Sequence, residues 1–380
     1  MAHIRKTDSG SYEAFIDMGK DPSTGKRKQF TKTFKQKNEA KLWAAKKIHE
    51  RENGIVTDPN NYTVREYLLQ WLKDYAELNL SPTTYDGYSM IINTHLIPAL
   101  GQLKLKNLKP MHIQSYQSKK IRSGRKDGQE GGLSKKTLLQ HHRVLSKALK
   151  QAVQWQLINY NPAQAVPAPS PEKPEINTLT KEEIDTLLDA SNGKWIYNFI
   201  FVAVYTGMRR GELLGLRWKD INFNDKKIYI RQTLVTKSGE GKVFKKPKTK
   251  TSVRQIDISD RVIEVLKKVK KEQVEYRLLF GPDYNENLNL VFCNETGYPF
   301  SPDTPGRRFK RIAQKINLDN YTLHDLRHSH ATLMLKAGVH PKIVQERLGH
   351  SSINITLDTY SHVIPSMQKE SVDKFDNVME

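Results

Sequence analysis

Four stretches in the C-terminal half of the chain carry side chains that can bind an anion, move a proton or act as a nucleophile. The first is Thr206-Gly207-Met208-Arg209-Arg210-Gly211-Glu212-Leu213, with two guanidinium groups beside a helix start. The second, Lys246-Pro247-Lys248-Thr249-Lys250-Thr251-Ser252-Val253-Arg254, is a lysine-rich turn. The third is His324-Asp325-Leu326-Arg327-His328-Ser329-His330; the last runs from Leu348-Gly349-His350 to Thr356-Leu357-Asp358-Thr359-Tyr360-Ser361-His362. Guanidinium groups are permanently charged and offer forked donors that suit a phosphate. Imidazoles exchange protons near neutral pH, and a phenol becomes a nucleophile once a base takes its proton. His324 and His328 stand four apart and could face one metal on a helix, but the glutamate of an H-E-x-x-H pattern and a third ligand are missing, so zinc is not expected. Singly, each stretch also has a plain structural reading: a surface ion pair, a solvated turn, a core tyrosine.

Together and in this order, the four stretches resemble the tyrosine recombinase family, the phage integrase type of site-specific DNA recombinase. The resemblance extends over essentially the whole chain. It implies that Arg209 and Arg327 clamp the scissile phosphate, whose non-bridging oxygens gather charge in the transition state. Tyr360 would attack phosphorus to give a 3′-phosphotyrosyl link and a free 5′-hydroxyl. A phenol with an ordinary pKa near ~10 needs a base, for which the family's candidate is His324. His350 would donate a hydrogen bond to the phosphate. The family's general acid is a lysine on a β-hairpin loop: Lys248, ahead of Arg254, fits best, Lys250 is the alternative, and Lys245 and Lys246 fit less well. The ester conserves bond energy, and arginines and lysine stand where a metal would, so neither cofactor nor metal is expected. The implied partners are double-stranded DNA at core and arm-type attachment sites, three further copies of the chain in a homotetramer, an excisionase and a host DNA-bending protein. Rival readings are a chromosome-dimer resolvase of the Xer type, a type IB topoisomerase and a DNA-binding regulator without catalysis.

The rest of the chain must position these residues on a polyanion, and its composition agrees. Across 380 residues, 62 Lys+Arg face 41 Asp+Glu, a formal net charge of +21. Such an excess neutralises phosphates and releases condensed counterions. Residues 1–53 hold 13 basic and 7 acidic side chains, residues 54–170 hold 15 and 7, so the excess is densest ahead of the candidate chemistry. Cys293 is the one cysteine, which rules out an intramolecular disulfide and fits a reducing compartment. The longest apolar run, Trp195 to Tyr205, falls short of the ~20 residues of a membrane span. The first residues lack the apolar core of a secretory signal. A cytoplasmic protein with no membrane partner is expected.

Periodicity and turn signals predict a mainly α fold with small β-sheets (α+β), in three domains. Residues 1–53 read as short strands (Ile4–Lys6, Tyr12–Ile16, Arg27–Phe34) followed by a helix from Asn38 on. This segment looks like the AP2-like, arm-binding domain of integrases from conjugative transposons and temperate phages; a structural cap is the other reading. After the linker Gly54–Asn61, residues 62–164 read as an all-α domain with helices over Val64–Leu78, Thr83–Leu96, Lys109–Arg122 and Ser134–Trp155, which by the resemblance looks like the core-binding, SAM-like domain of the family. Pro162–Pro174, with five prolines, reads as the next linker. Residues 175–380 form the mixed α/β catalytic domain, opened by the capping box Thr180–Glu183. Within it Lys227–Val235 and Ser252–Ile258 read as strands joined by the basic connection Lys237–Thr251. The tail beyond Pro365 is either a frayed end or, by the resemblance, a segment that docks on a neighbouring protomer.

Overall fold

The computed structural model describes residues 2–20, 27–52, 62–172, 177–237, 239–247, 253–360 and 379. The chain divides into two compact units, Met1–Glu172 and Lys173–Glu380, and the fold is α+β as the sequence predicts. None of the described helices is long and apolar enough to cross a membrane.

The first unit opens with the antiparallel sheet β1 (Ala2–Lys6), β2 (Tyr12–Lys20) and β3 (Arg27–Phe34), in that spatial order. Ile4 pairs with Ala14, and Ile16 with Phe30. Alternate side chains of a strand face opposite ways. Ala14 and Ile16 therefore turn inward with Ala40 and Ala44 of α1 (Lys37–Glu52), against Trp43. Phe15 carries the Arg5 guanidinium over its ring, and Lys32 lies over Phe34.

A second core in this unit is helical. Thr63 and Glu66 close a capping box at the start of α2 (Val64–Trp71), which continues through a π turn, Leu72–Ala76, into α3 (Glu77–Asn79). The next helix repeats the device: α4 (Pro82–Ile91), a π turn at Ile92–Leu96, then α5 (Ile97–Leu100). With α6 (Pro110–Arg122) and α7 (Lys135–Gln154) these helices bury Tyr67, Trp71, Leu96, Ile113 and Leu149. The predicted helices over 64–78 and 83–96 are thus present but broken by π turns. The predicted linker starts too early. Pro162–Ala165 forms a 3-10 turn whose Pro162 and Ala163 are buried, as is Val166. Asn161 caps it from Oδ1 and donates to the Ser146 carbonyl. A proline at the start of such a turn lacks only an N–H that would go unpaired anyway, so it packs as well as any apolar residue.

The second unit begins with α8 (Lys181–Ser191) and the almost wholly buried α9 (Trp195–Thr206). Next come α10 (Arg210–Leu214), β4 (Ile221–Asn222), β5 (Lys227–Ile230), β6 (Thr233–Lys237), β7 (Gly241–Lys245) and β8 (Arg254–Asp257). Among the described residues the α-helices that follow are α11 (Asp260–Phe280), α12 (Thr304–Lys315), α13 (Asp325–Lys336), α14 (Pro341–Leu348) and α15 (Ile353–Tyr360). Strands β4, β5 and β8 form one antiparallel sheet, and β6 with β7 form a separate hairpin. The single strand predicted over Lys227–Val235 is therefore two, parted at Arg231-Gln232. Gln232 donates to the Gly215 carbonyl, and a Cβ at Gly211 would lie 2.5 Å from the Thr233 hydroxyl, so β6 is drawn onto α10 and away from β5. The predicted basic connection Lys237–Thr251 contains β7, paired back on β6 from Lys237–Gly241 to Thr233–Lys245. Lys248 and Lys250 lie outside the described residues, as does the tail at 361–378.

Candidate active site

Helix α9 is apolar on every side and ends where the chain turns sharply at Gly207, at φ +63°. The left-handed conformation suits glycine, and space demands it as well: a Cβ there would lie 2.6 Å from the His330 ring and 2.8 Å from a Leu348 methyl. The turn delivers Arg209 to the start of α10. Its backbone N–H donates to Glu212 Oε2 at 2.9 Å, Nη1 donates to Glu212 Oε1 at 2.8 Å, and Nη2 reaches the Gly349 carbonyl at 3.2 Å. The side chain remains 37% exposed, so one side of this guanidinium faces solvent.

Glu212 is buried and serves two arginines. Arg254, at the start of β8, donates to it through Nη1 at 3.1 Å and Nη2 at 2.9 Å, and its Nε bonds the Arg347 carbonyl at 2.6 Å. Burial pushes the Glu212 carboxyl up, but the bonds from Arg254 and the charges of Arg254 and Arg209 outweigh it and hold the group below its ordinary value. Arg327, in the first turn of α13, is buried; Nη1 donates to the Gly207 carbonyl and Nη2 to the Leu348 carbonyl, both at 2.6 Å. Arg209 and Arg254 thus meet on Glu212, and all three arginines meet on the carbonyls of 347–349.

His350 follows the left-handed Gly349 that ends α14. Its Nδ1 lies 2.9 Å from the Thr356 hydroxyl on α15, and its carbonyl accepts from Gln345 Nε2 at 2.6 Å. Burial, followed by the charges of Arg327 and Arg209, pushes its pKa down to about 4, so the free protein holds it neutral. His324 sits at the start of α13, its ring edge-on to His328 with centroids 4.9 Å apart. Burial, with His328 and Arg327, lowers it too, which leaves an imidazole able to accept a proton. It lines a cavity of about 470 Å³ with Arg210, Lys310, Tyr321 and Thr322. At Tyr360 the backbone alone is described, as the last residue of α15.

The structure therefore brings Arg209, His324, Arg327 and His350 into one electropositive centre, with α15 joined to it through Thr356. Sequence reasoning assigned no part to Glu212, Arg254, Arg347 or His330. The available signal was Glu212, a carboxylate three residues after Arg209 in a strongly basic chain.

Residues 177–367 match the family model described as phage integrase family. The chain belongs to this family. Two further models match parts of the rest of the chain: the N-terminal SAM-like domain of phage integrases over residues 63–121, and an arm DNA-binding domain over residues 3–50. Among curated relatives, the ICEBs1 integrase of Bacillus subtilis is 28% identical over 99% of this chain and 100% of its own. A XerC-like tyrosine recombinase of Caldanaerobacter subterraneus is 28% identical over 97% of this chain and 96% of its own. Among solved structures, the Tn1549 transposon integrase in complex with a circular intermediate DNA superposes with a TM-score of 0.67 at 23% identity, covering 81% of this chain and 99% of that one. The chain is accordingly an enzyme of the tyrosine recombinase type, which cleaves and rejoins DNA through a tyrosine-linked intermediate.

Proposed function

We propose that this recombinase inserts and excises a mobile element by cutting and rejoining double-stranded DNA at core sites, with Arg209, Lys248, His324, Arg327, His350 and Tyr360 as its catalytic residues. The carrying observation is the convergence of Arg209 and Arg327, with two neutral imidazoles, beside the helix that ends in Tyr360. A phosphodiester placed there meets two charges fixed before it arrives, which lowers the transition state without reorganisation. The Tyr360 oxygen bonds to phosphorus as the bond to the 5′-oxygen breaks. His324 takes the phenolic proton, and Lys248, or Lys250 two residues on, returns one to the departing oxygen. Rejoining runs the same steps backwards with a 5′-hydroxyl from the partner duplex.

Two duplexes with two cut strands each call for four active sites, so a homotetramer on DNA is the working assembly. The segment 1–53 would hold arm-type sites, with the core-binding domain at 62–164 and the catalytic domain at 175–380 on the core. An excisionase and a host DNA-bending protein would set direction, and the whole reaction belongs in the cytoplasm of a bacterial host. The XerC-like relative is as similar over the same length as the ICEBs1 integrase, so length and identity alone do not separate a resolvase from an integrase; the arm DNA-binding match and the integrases of Bacillus subtilis and Streptomyces ambofaciens among the relatives support the integrase.

The test is covalent capture. Nicked suicide duplexes with a randomised core are incubated with the protein, and denaturation-resistant adducts are selected and sequenced. Wild type should yield an adduct on a defined core; Tyr360→Phe should bind that core and yield none. An adduct with Tyr360→Phe would refute the nucleophile, and no adduct on any core would favour a regulator that only binds DNA.

A further inference from the structure

The end of α14 does something the proposed reaction does not require of it by sequence. Three consecutive carbonyls, those of Arg347, Leu348 and Gly349, accept hydrogen bonds from three different arginines: Arg254 Nε at 2.6 Å, Arg327 Nη2 at 2.6 Å and Arg209 Nη2 at 3.2 Å. The last carbonyls of a helix have no partner within it and carry the negative end of its dipole. Here they form a row of acceptors that holds guanidinium groups together against their mutual repulsion, aided by the carboxylate of Glu212.

What fixes that row is the side chain of Arg347. Each of its three nitrogens donates to a different element: Nε to His330 Nε2 at 3.0 Å on α13, Nη1 to the Asp257 carbonyl at 2.9 Å on β8, Nη2 to the Tyr205 carbonyl at 2.9 Å on α9. His330 is buried, and its Nδ1 lies 2.8 Å from the Val204 carbonyl. That contact requires the proton on Nδ1 and leaves Nε2 as the acceptor for Arg347. Burial and the adjoining Arg347 charge push its pKa down to about 3, which preserves that lone pair at any working pH.

We propose that Arg347 and His330 are positioning residues for strand cleavage: they clamp the end of α14 to α9, α13 and β8, so that its carbonyls hold Arg209 and Arg327 at the scissile phosphate. The inference rests on the recombinase reading, because the arginines act only if a phosphodiester lies between them. Neither residue needs to touch DNA. A lysine at 347 has one compact ammonium and cannot reach three acceptors in a plane. An asparagine at 330 can keep the bond to Val204 but loses the acceptor for Arg347, whereas a glutamine can place an oxygen near the position of Nε2.

The test uses the full-length protein with the core duplex obtained by covalent capture, and reads single-turnover adduct formation at saturating DNA beside the Kd. Arg347→Lys and His330→Asn should slow cleavage by ~10- to 100-fold with Kd changed by less than ~3-fold, as for small misplacements of a reacting group. His330→Gln should recover most of the loss. On a duplex with a neutral methylphosphonate at the scissile position, the Arg347→Lys defect should shrink below ~3-fold, because the arginines then have less charge to neutralise. In the DNA-free protein, Arg347→Lys should speed hydrogen exchange at the Gly349 and His350 amides by ~10-fold or more. Unchanged cleavage in both variants, or an equal defect on both duplexes, overturns the proposal, and so does unchanged exchange. Absence of any wild-type adduct would instead sink the recombinase reading, while the exchange measurement would still decide whether Arg347 clamps α14.

Discussion

Glu212→Gln removes one negative charge from beneath two guanidinium groups. The wild-type carboxylate accepts from the Arg209 backbone and Nη1 and from both Nη atoms of Arg254, and Arg254 is only 6% exposed. An amide offers one acceptor oxygen and turns an NH₂ group towards donors. Removing one partner of a buried pair costs about 3–5 kcal/mol. Arg209 is more than a third exposed and recovers part of its loss from water, so the lower end, about 3 kcal/mol, applies. For a unit of roughly 200 residues each kcal/mol moves Tm by about 2–4 °C, so the unit Lys173–Glu380 should melt about 6–12 °C lower.

The pH dependence has a definite sign. Glu212 is held below its ordinary value of 4.5, so its stabilisation is complete above that value and is lost as pH falls through the folded value. Differential scanning calorimetry of wild type and Glu212→Gln should therefore show the full Tm gap at neutral pH and a narrower one in acid. A gap under about 2 °C at neutral pH, or one that widens on acidification, would show that the carboxylate does not balance these arginines.

Two further expectations concern the same centre. Gly207→Ala combines a left-handed residue with contacts of 2.6 and 2.8 Å to His330 and Leu348; it should cost about 2–4 kcal/mol, read as a lower denaturant midpoint, and a midpoint equal to wild type would refute the close approach. His350 is neutral in the free protein, with a pKa of about 4 against an unfolded value near 6.5, so acidification through that window destabilises the fold. A bound phosphate raises this pKa, so DNA binding near pH ~5.5 should take up protons in calorimetry across buffers of different ionisation enthalpy. His350→Gln should abolish most of that uptake; an unchanged uptake would assign it elsewhere.

The legible parts of the fold are those written in local period and local chemistry. The strand Arg27–Phe34 and the helix between its Ser134 cap and Trp155 were readable because alternation, amphipathic spacing and capping all act within a few residues. The hairpin β6–β7 was not. Its separation from β5 depends on Gly215 and Gly211, residues that precede Thr233 by 18 and 22 positions and meet the hairpin only in space. The π turns of the helical core were hidden for a related reason: an extra residue in a turn leaves the apolar pattern nearly intact.

The order of Arg209, Arg327, His350 and Tyr360 along the chain, and hence the family and its chemistry, followed from the sequence alone, because a phosphoryl-transfer centre needs those residue types and the motifs carry them. The arrangement that brings Arg209, Arg327 and His350 together was decided by tertiary structure. Arg209 meets Gly349 across 140 residues, Arg327 meets Gly207 across 120, and Arg254 meets Glu212 across 42. No local spacing encodes such partners. They exist because α9, α13, α14 and β8 pack around one buried carboxylate and one helix end, where groups that repel each other in an extended chain find enough acceptors to be held together.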